Sequence, residues 1–220
     1  MKKTVFIVVM LAAFVAGYGQ SEKFVAAMSP KVQALDTTHS TETLIDLANA
    51  FERIADAEKN QWLPYYYAAL ANVNAGNMIM TTSGMGGGIA DKLDPIADKA
   101  EALLDKAQAL SKDNSEIFIV RKMIATLKMM GDPMSRFMTY GPQAAEALET
   151  AKKLNPENPR VYLLEAMNKF YTPEQYGGSN EEAKKLFELA AAKFDAFKPE
   201  SELHPAWGRG QLAYFMSQYK

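Results

Sequence analysis

EEAKKLFELAAAKFDAF, from Glu181 to Phe197, is the stretch that decides the predicted fold. Within it, Ala183, Phe187 and Ala190 place a small, a large apolar and a small residue at positions i, i+4 and i+7, which share one face of a helix. The same spacing occurs at Ala50, Ile54 and Ala57, at Ala100, Leu104 and Ala107, and at Ala144, Leu148 and Ala151. Small residues on either side of a large one let a neighbouring helix approach closely, so the pattern predicts stacked pairs of helices.

The repeated pattern resembles the second helix of the tetratricopeptide repeat, which shows alanine, a large residue, alanine and then proline. Ala144, Leu148, Ala151 and Pro156 match all four positions, although the copies lie further apart than the usual period of about 34 residues. The stretch FERIADAEKNQWLPYYYAA, residues 51–69, also resembles exported repeat proteins of the Bacteroidetes. The resemblance implies an all-α, tetratricopeptide-like α-solenoid of antiparallel helix pairs over residues 21–220, with a C-terminal capping helix.

The N-terminal residues predict export. Met1, Lys2 and Lys3 precede an apolar run of about a dozen residues and a small-residue exit, which is the outline of a signal peptide over residues 1–20. The run is shorter than the roughly 20 residues that span a bilayer, so cleavage is favoured over an uncleaved anchor, and no stable membrane span is expected afterwards. The chain has no cysteine, which excludes a lipid-attachment site and a disulfide framework. We therefore expect a periplasmic or secreted protein.

Charge and motif content argue against two function classes. The 24 basic and 26 acidic residues nearly cancel and form no long run of one sign, so no nucleic-acid partner is expected. His39 and His204 stand near no recognisable nucleophile motif, so we expect no enzyme and no cofactor.

Three predicted loops, residues 77–93, 131–141 and 172–179, each join the first helix of a pair to its second and are expected on one rim of the stack. The first two carry or adjoin methionines, at Met78, Met80, Met85, Met129, Met130, Met134 and Met138. Thioethers are soft metal ligands, yet methionine also fills irregular gaps, and no histidine or cysteine joins these groups. Binding loops and covers for apolar surface both remain open.

The first helices of the pairs are expected to present an apolar groove on the concave face. With Tyr65 and Tyr162 set at equivalent positions, the predicted binding residues are Tyr66, Leu70, Ile119, Met123, Leu163, Met167 and Phe170. Such a groove suits a peptide segment or an apolar ligand, while the alternative is that these residues form the core between helices. The sequence thus favours a non-catalytic exported protein that binds a protein or peptide partner in the cell envelope. The alternative is a small-molecule or soft-metal binding protein that uses the methionine- and glycine-rich loops.

Overall fold

A computed structural model describes residues 21–83 and 88–219. Their helices are α1 Glu22–Thr37, α2 Thr41–Glu58, α3 Trp62–Ser83, α4 Ala90–Leu110, α5 Ser115–Gly131, α6 Pro133–Leu154, α7 Pro159–Tyr171, a 3-10 turn Glu174–Tyr176, α8 Asn180–Ala196 and α9 Arg209–Ser217. The described residues contain no strand, so the predicted all-α class is confirmed. The expected signal peptide, residues 1–20, lies outside them. Within the described ranges, none of the helices combines the length and apolar character needed to cross a bilayer.

Short polar side chains set the starts of most helices. Ser21, Ser40 and Ser179 each accept a hydrogen bond from an amide in the first turn of the following helix, as do Asn114, Asp132 and Asn158. These caps satisfy amides that have no partner within the helix. Ser179 and Glu182 have the sequence spacing of a capping box, and Ser179 Oγ accepts from the amide of Glu182 at 3.1 Å.

Three of the four copies of the repeated pattern lie in the core. The buried copies are Ala100, Leu104 and Ala107, Ala144, Leu148 and Ala151, and Ala183, Phe187 and Ala190. The copy in α2 is wrong, because the buried face there is Ala48, Phe51 and Ala55, while Ile54 is half-buried and Ala57 is exposed. Phe51 stacks on Tyr67 at a centroid distance of 5.3 Å, and burying the larger ring rotates α2 away from the predicted register.

Two of the three predicted loops are helical over much of their described length. The predicted bounds of the loop over residues 77–93 are wrong because α3 continues to Ser83 and α4 begins at Ala90. Gly76 lies inside α3 against Leu127, where an added Cβ would come within 2.5 Å of a Leu127 methyl carbon. The predicted loop over residues 131–141 is also wrong, since Asp132 caps a helix that begins at Pro133. Residues 172–179 do form a loop, with one 3-10 turn.

The buried apolar residues form two main clusters. One joins α1 to α5, and the other joins α5 to α9. The segment between α8 and α9, residues 197–208, bridges them with two hydrogen bonds: Tyr67 Oη donates to the Leu203 carbonyl, and Trp207 Nε1 donates to Tyr66 Oη, each at 2.8 Å. The two halves of the helical array are therefore held together by this segment as well as by α5.

Candidate functional site

The most exposed apolar side chains of the described residues include three on the first turns of α6. Met134 is 95% exposed, Met138 is 80% exposed and Phe137 is 59% exposed. A single exposed apolar side chain is ordinary, but three within five residues at helical spacing form a continuous patch. Such a patch on a folded protein marks a binding surface.

The patch is exposed because α6 is longer than the helix that follows it. At 1.5 Å per residue, α6 is about 33 Å long and α7 about 20 Å. The short link over residues 155–158 returns the chain at the end of α6, and Lys152 Nζ bonds the carboxylate of Glu165 at 2.9 Å near that end. The first turns of α6 thus extend past α7, and α6 and α7 make the lightest contact of any consecutive pair of α-helices described.

Helices α5 and α7 carry further apolar side chains that are half-buried or exposed. Met167 and Phe170 of α7 are half-buried against the second core cluster, and Met123 of α5 is half-buried against both clusters. Tyr171, at the end of α7, is 64% exposed, and its ring lies edge-on to Phe170 at a centroid distance of 5.2 Å. Both rings also lie edge-on to Phe215 of α9, at centroid distances of 5.3 Å for Phe170 and 5.7 Å for Tyr171. We group Met123, Met134, Phe137, Met138, Met167, Phe170 and Tyr171 by their shared chemistry and call the set the methionine–aromatic surface.

The chemistry of the methionine–aromatic surface is uniform. None of its seven side chains is charged at neutral pH, because methionine and phenylalanine do not ionise and the Tyr171 phenol has an ordinary pKa of about 10. Partial burial, with a smaller contribution from the Tyr214 phenol, raises the pKa of Tyr171 further. Thioethers and aromatic faces are polarisable and adapt to irregular shapes. This surface can therefore hold a flat apolar molecule.

The structure places the seven predicted binding residues in two settings. Met123, Met167 and Phe170 belong to the methionine–aromatic surface. The other four, Tyr66, Leu70, Ile119 and Leu163, are buried in the core clusters. Trp207, brought in by the segment after α8, covers Tyr66 and hydrogen-bonds its phenol, so the face predicted to be concave is occupied by the protein's own chain at that point. A ligand-binding role for the four buried residues stays a prediction.

A separate feature, a cavity of about 760 Å³, lies where α5 and α7 begin and α8 ends. Its lining includes the acidic residues Asp113, Glu116, Glu157 and Glu200, together with Lys193 and Lys198. Acidic side chains outnumber the lysines, so the cavity disfavours an anionic ligand.

The inner wall of this cavity is a buried ionic network. Glu116 Oε1 lies 3.2 Å from Nη1 of Arg160, which is fully buried, and 2.7 Å from the Asn158 amide nitrogen. Burial raises the pKa of Glu116, and the Arg160 guanidinium opposes that shift. The Arg160 guanidinium also bonds the carbonyl of Pro205 and lies over the rings of Phe197 and Trp207. Its partners all belong to the fold, so the network has a structural role.

His204 lines the same cavity but is engaged locally. Its Nδ1 lies 2.8 Å from Ser201 Oγ and its Nε2 lies 3.2 Å from Glu200. Ser201 Oγ also accepts from the amide of Leu203, the pattern of a hydroxyl-stabilised turn. Burial lowers the pKa of His204, so its ring is neutral at neutral pH. Over residues 21–83 and 88–219, no group of three or more histidine, cysteine, aspartate or glutamate side chains is arranged to hold a metal ion.

Sequence reasoning missed two features of the structure, one in the candidate ligand surface and one in the buried ionic network. Phe137 and Tyr171 were assigned to a loop and to a helix end, although Met134, Phe137 and Met138 have the i, i+3, i+4 spacing of a helical patch. The ion pair of Glu116 with Arg160 has no sequence signal, because the two residues are distant in the chain and occupy the first turns of different helices.

No protein-family model matches the sequence, and no curated protein matches it either. One solved structure that does match is the HusA haemophore from Porphyromonas gingivalis. The two chains are 31% identical, with a TM-score of 0.77, and the match covers 92% of this chain and 95% of that chain. No family model supports the tetratricopeptide resemblance, whereas this solved structure supports the resemblance to a Bacteroidetes protein.

This neighbour corrects the functional hypothesis drawn from the sequence. A haemophore carries haem, a small molecule, so the expected protein or peptide partner is contradicted. It is also a binding protein rather than an enzyme. Its identity exceeds 30% over nearly its whole length, and the chain therefore belongs to the family of the HusA haemophore.

Proposed function

We propose that this protein binds haem and that the haem lies on the methionine–aromatic surface. The observation that carries the proposal is the exposed apolar patch of Met134, Phe137 and Met138, which α7 is too short to cover. A haemophore relative at 31% identity supports the class of ligand.

The residues of the methionine–aromatic surface fit the chemistry of haem. The macrocycle is flat and apolar, and it buries well against methionine and aromatic side chains. Thioether sulfur and phenol oxygen are both known ligands of haem iron, and Met138 and Tyr171 would supply them here. The 760 Å³ cavity fits less well, because the haem carboxylates would face its acidic lining.

The proposal includes two further parts: export of the protein through a cleaved signal peptide, and a tetratricopeptide-like arrangement of its helix pairs. The apolar N-terminal run supports export through a cleaved signal peptide, which leaves residues 21–220 as the mature domain. The packing of α3 on both α4 and α5, together with the buried small–large–small faces, supports a tetratricopeptide-like stack of helix pairs. In this arrangement the rigid stack presents the ligand surface and nothing in it needs to be catalytic.

The test is a titration of the mature chain with ferric protoporphyrin IX, followed by its Soret absorbance. Phe137→Glu places a charge in the centre of the patch and should weaken binding at least about tenfold, or ~1.4 kcal/mol. Phe137 is mostly exposed, so the substitution should leave the fold intact.

Leu189→Glu is the matched control, because Leu189 is an exposed apolar residue of α8 outside the methionine–aromatic surface. It should bind haem as the unsubstituted protein does. Absence of haem binding by the unsubstituted protein would overturn the proposed function. Equal affinities of the two variants would show that haem binds elsewhere.

A further inference from the structure

Lys122 of α5 differs from the other basic residues of its helix. Arg121 bonds Asp105 at 2.8 Å, and Lys128 lies within 2.8 Å of Asp98 and 2.5 Å of Glu101. Lys122 is only 6% exposed, and among the residues that the structure describes its Nζ has no ion pair and no hydrogen bond. Lys122 is therefore a nearly buried lysine whose amine has no partner among the described residues, and the amine nitrogen itself is not wholly enclosed by protein atoms.

The position of Lys122 on α5 directs its side chain toward α6 and α7. Ile119, three residues earlier and on the same helix face, packs in the core cluster formed by α6 and α7. Met123, the next residue, belongs to the methionine–aromatic surface. The side chain of Lys122 therefore leaves α5 on the side of α6 and α7, the two helices that carry most of the methionine–aromatic surface.

A buried amine of this kind is costly to retain. Burial alone lowers its pKa to about 8, and an ammonium group without a partner in a dry site is destabilising. A residue that weakens the fold and serves no contact within it is expected to serve a ligand. The only chemistry that an ammonium group offers is donation to an anion or another acceptor.

We propose that Lys122 anchors a carboxylate of the bound ligand, which gives the site a preference for porphyrins that carry free acid side chains. This inference rests on the proposed function, since haem presents two carboxylates at one edge of its ring. The macrocycle covers the methionine–aromatic surface while one carboxylate reaches the amine beneath it. The ion pair then forms in a water-poor setting, where charge-assisted hydrogen bonds are strong.

The experiment compares two ligands that differ only in their acid groups: ferric protoporphyrin IX and its dimethyl ester. Each is titrated from the same dimethyl sulfoxide stock into the unsubstituted protein and into Lys122→Met. Methionine keeps the length and apolar stem of lysine without its charge, so the fold should be retained, which far-UV circular dichroism checks. We expect Lys122→Met to weaken binding of the diacid about tenfold or more and to leave the ester unchanged.

Lys112→Met is the matched control, because Lys112 is exposed in the link between α4 and α5 and should affect neither ligand. If Lys122→Met leaves the affinity for the diacid unchanged, the anchor is overturned while haem binding stands. If it weakens both ligands equally, Lys122 supports the surface structurally and the anchor is again overturned. If the unsubstituted protein binds neither ligand, the proposed function itself fails.

Discussion

Lys122 also makes a prediction about stability that needs no ligand. Its pKa falls from 10.5 to about 8 on folding because burial disfavours the ammonium form. Below about pH 8 the Lys122 amine is protonated in both the folded and the unfolded chain. The folded state then bears the full free-energy cost of burying an ammonium group, at most roughly 3 kcal/mol. Above pH 10.5 neither form is charged and the cost disappears. The amine therefore destabilises the protein at neutral pH.

Lys122→Met should accordingly raise the free energy of unfolding by about 1 to 3 kcal/mol at pH 7. The difference in unfolding free energy between Lys122→Met and the unsubstituted protein should shrink as the pH rises from about 8 toward 10.5. Urea unfolding of both proteins at pH 7 and at pH 10 measures this, and comparing them at each pH cancels the groups that they share. A variant less stable than the unsubstituted protein at pH 7 would mean that the amine has a favourable partner within the fold.

At the scale of helices, the sequence predicts which segments are helical better than it predicts where each helix begins and ends. Three of the four small–large–small faces are buried as predicted. The helical spacing of these residues shows directly which face of a helix packs on its neighbour. The last residues of α3 and the first residues of α6 were predicted as loops because of their glycine, threonine and proline content. In the structure α3 continues to Ser83, and the hydroxyls of Thr81 and Thr82 donate to carbonyls one turn earlier, so both are satisfied within the helix.

The candidate site was only partly predictable, because a sequence pattern shows which residues share a helix face but not how neighbouring helices cover that face. The spacing of Met134, Phe137 and Met138 is helical in the sequence, and Met123, Met167 and Phe170 were predicted as binding residues. What the sequence could not supply is exposure, since it depends on how little of α6 is covered by the shorter α7, and these two helices make only light contact. How far one helix covers another is a tertiary property. Residues that share a face in one helix can therefore be core at one end and surface at the other.

Gly76 tests the helical path of α3. An added Cβ would lie 2.5 Å from Leu127 Cδ2 and 2.8 Å from its Cδ1, and Leu127 is itself buried against Leu93 and Ala97. Gly76→Ala should therefore destabilise the protein by about 0.5 to 2 kcal/mol, because overpacking outweighs the gain of about 1 kcal/mol in helix propensity. Thermal unfolding measures the change.

Gly210→Ala is the control for Gly76→Ala. Gly210 lies in α9 with nothing within 4 Å of an added Cβ, so alanine there should be neutral or stabilising. A Gly76→Ala protein as stable as Gly210→Ala would show that Leu127 moves aside without cost, and that the close contact of α3 with α5 is not required.

At the scale of the whole molecule, Arg160 joins parts of the chain that are distant in sequence. Its fully buried guanidinium pairs with Glu116 at the start of α5, bonds the carbonyl of Pro205 and lies over the ring of Trp207. Trp207 in turn bonds Tyr66 of α3. The segment over residues 197–208, which connects the two core clusters, is thus held by one cation.

Arg160→Met should cost about 3 to 5 kcal/mol at pH 7, because it leaves the Glu116 carboxylate buried without its charged partner. The pKa of Glu116 is already raised by burial, and losing Arg160, which lowers it, raises it further. A raised carboxyl pKa disfavours the folded state above that pKa, so acidification from pH 7 toward pH 5 should restore part of the lost stability of Arg160→Met.

The double variant Glu116→Gln with Arg160→Met separates the ion pair from the packing of the arginine side chain. Glutamine keeps the acceptor for Asn158 without the charge, so the double variant should be more stable than Arg160→Met alone at pH 7, and the difference should fade toward pH 5. Urea unfolding of the four proteins of this cycle gives the coupling energy. If the double variant is no more stable than Arg160→Met, the loss comes from the contacts of Arg160 with Pro205, Phe197 and Trp207. The segment over residues 197–208 would then be held by packing, and the Glu116 charge would have no part in joining the two clusters.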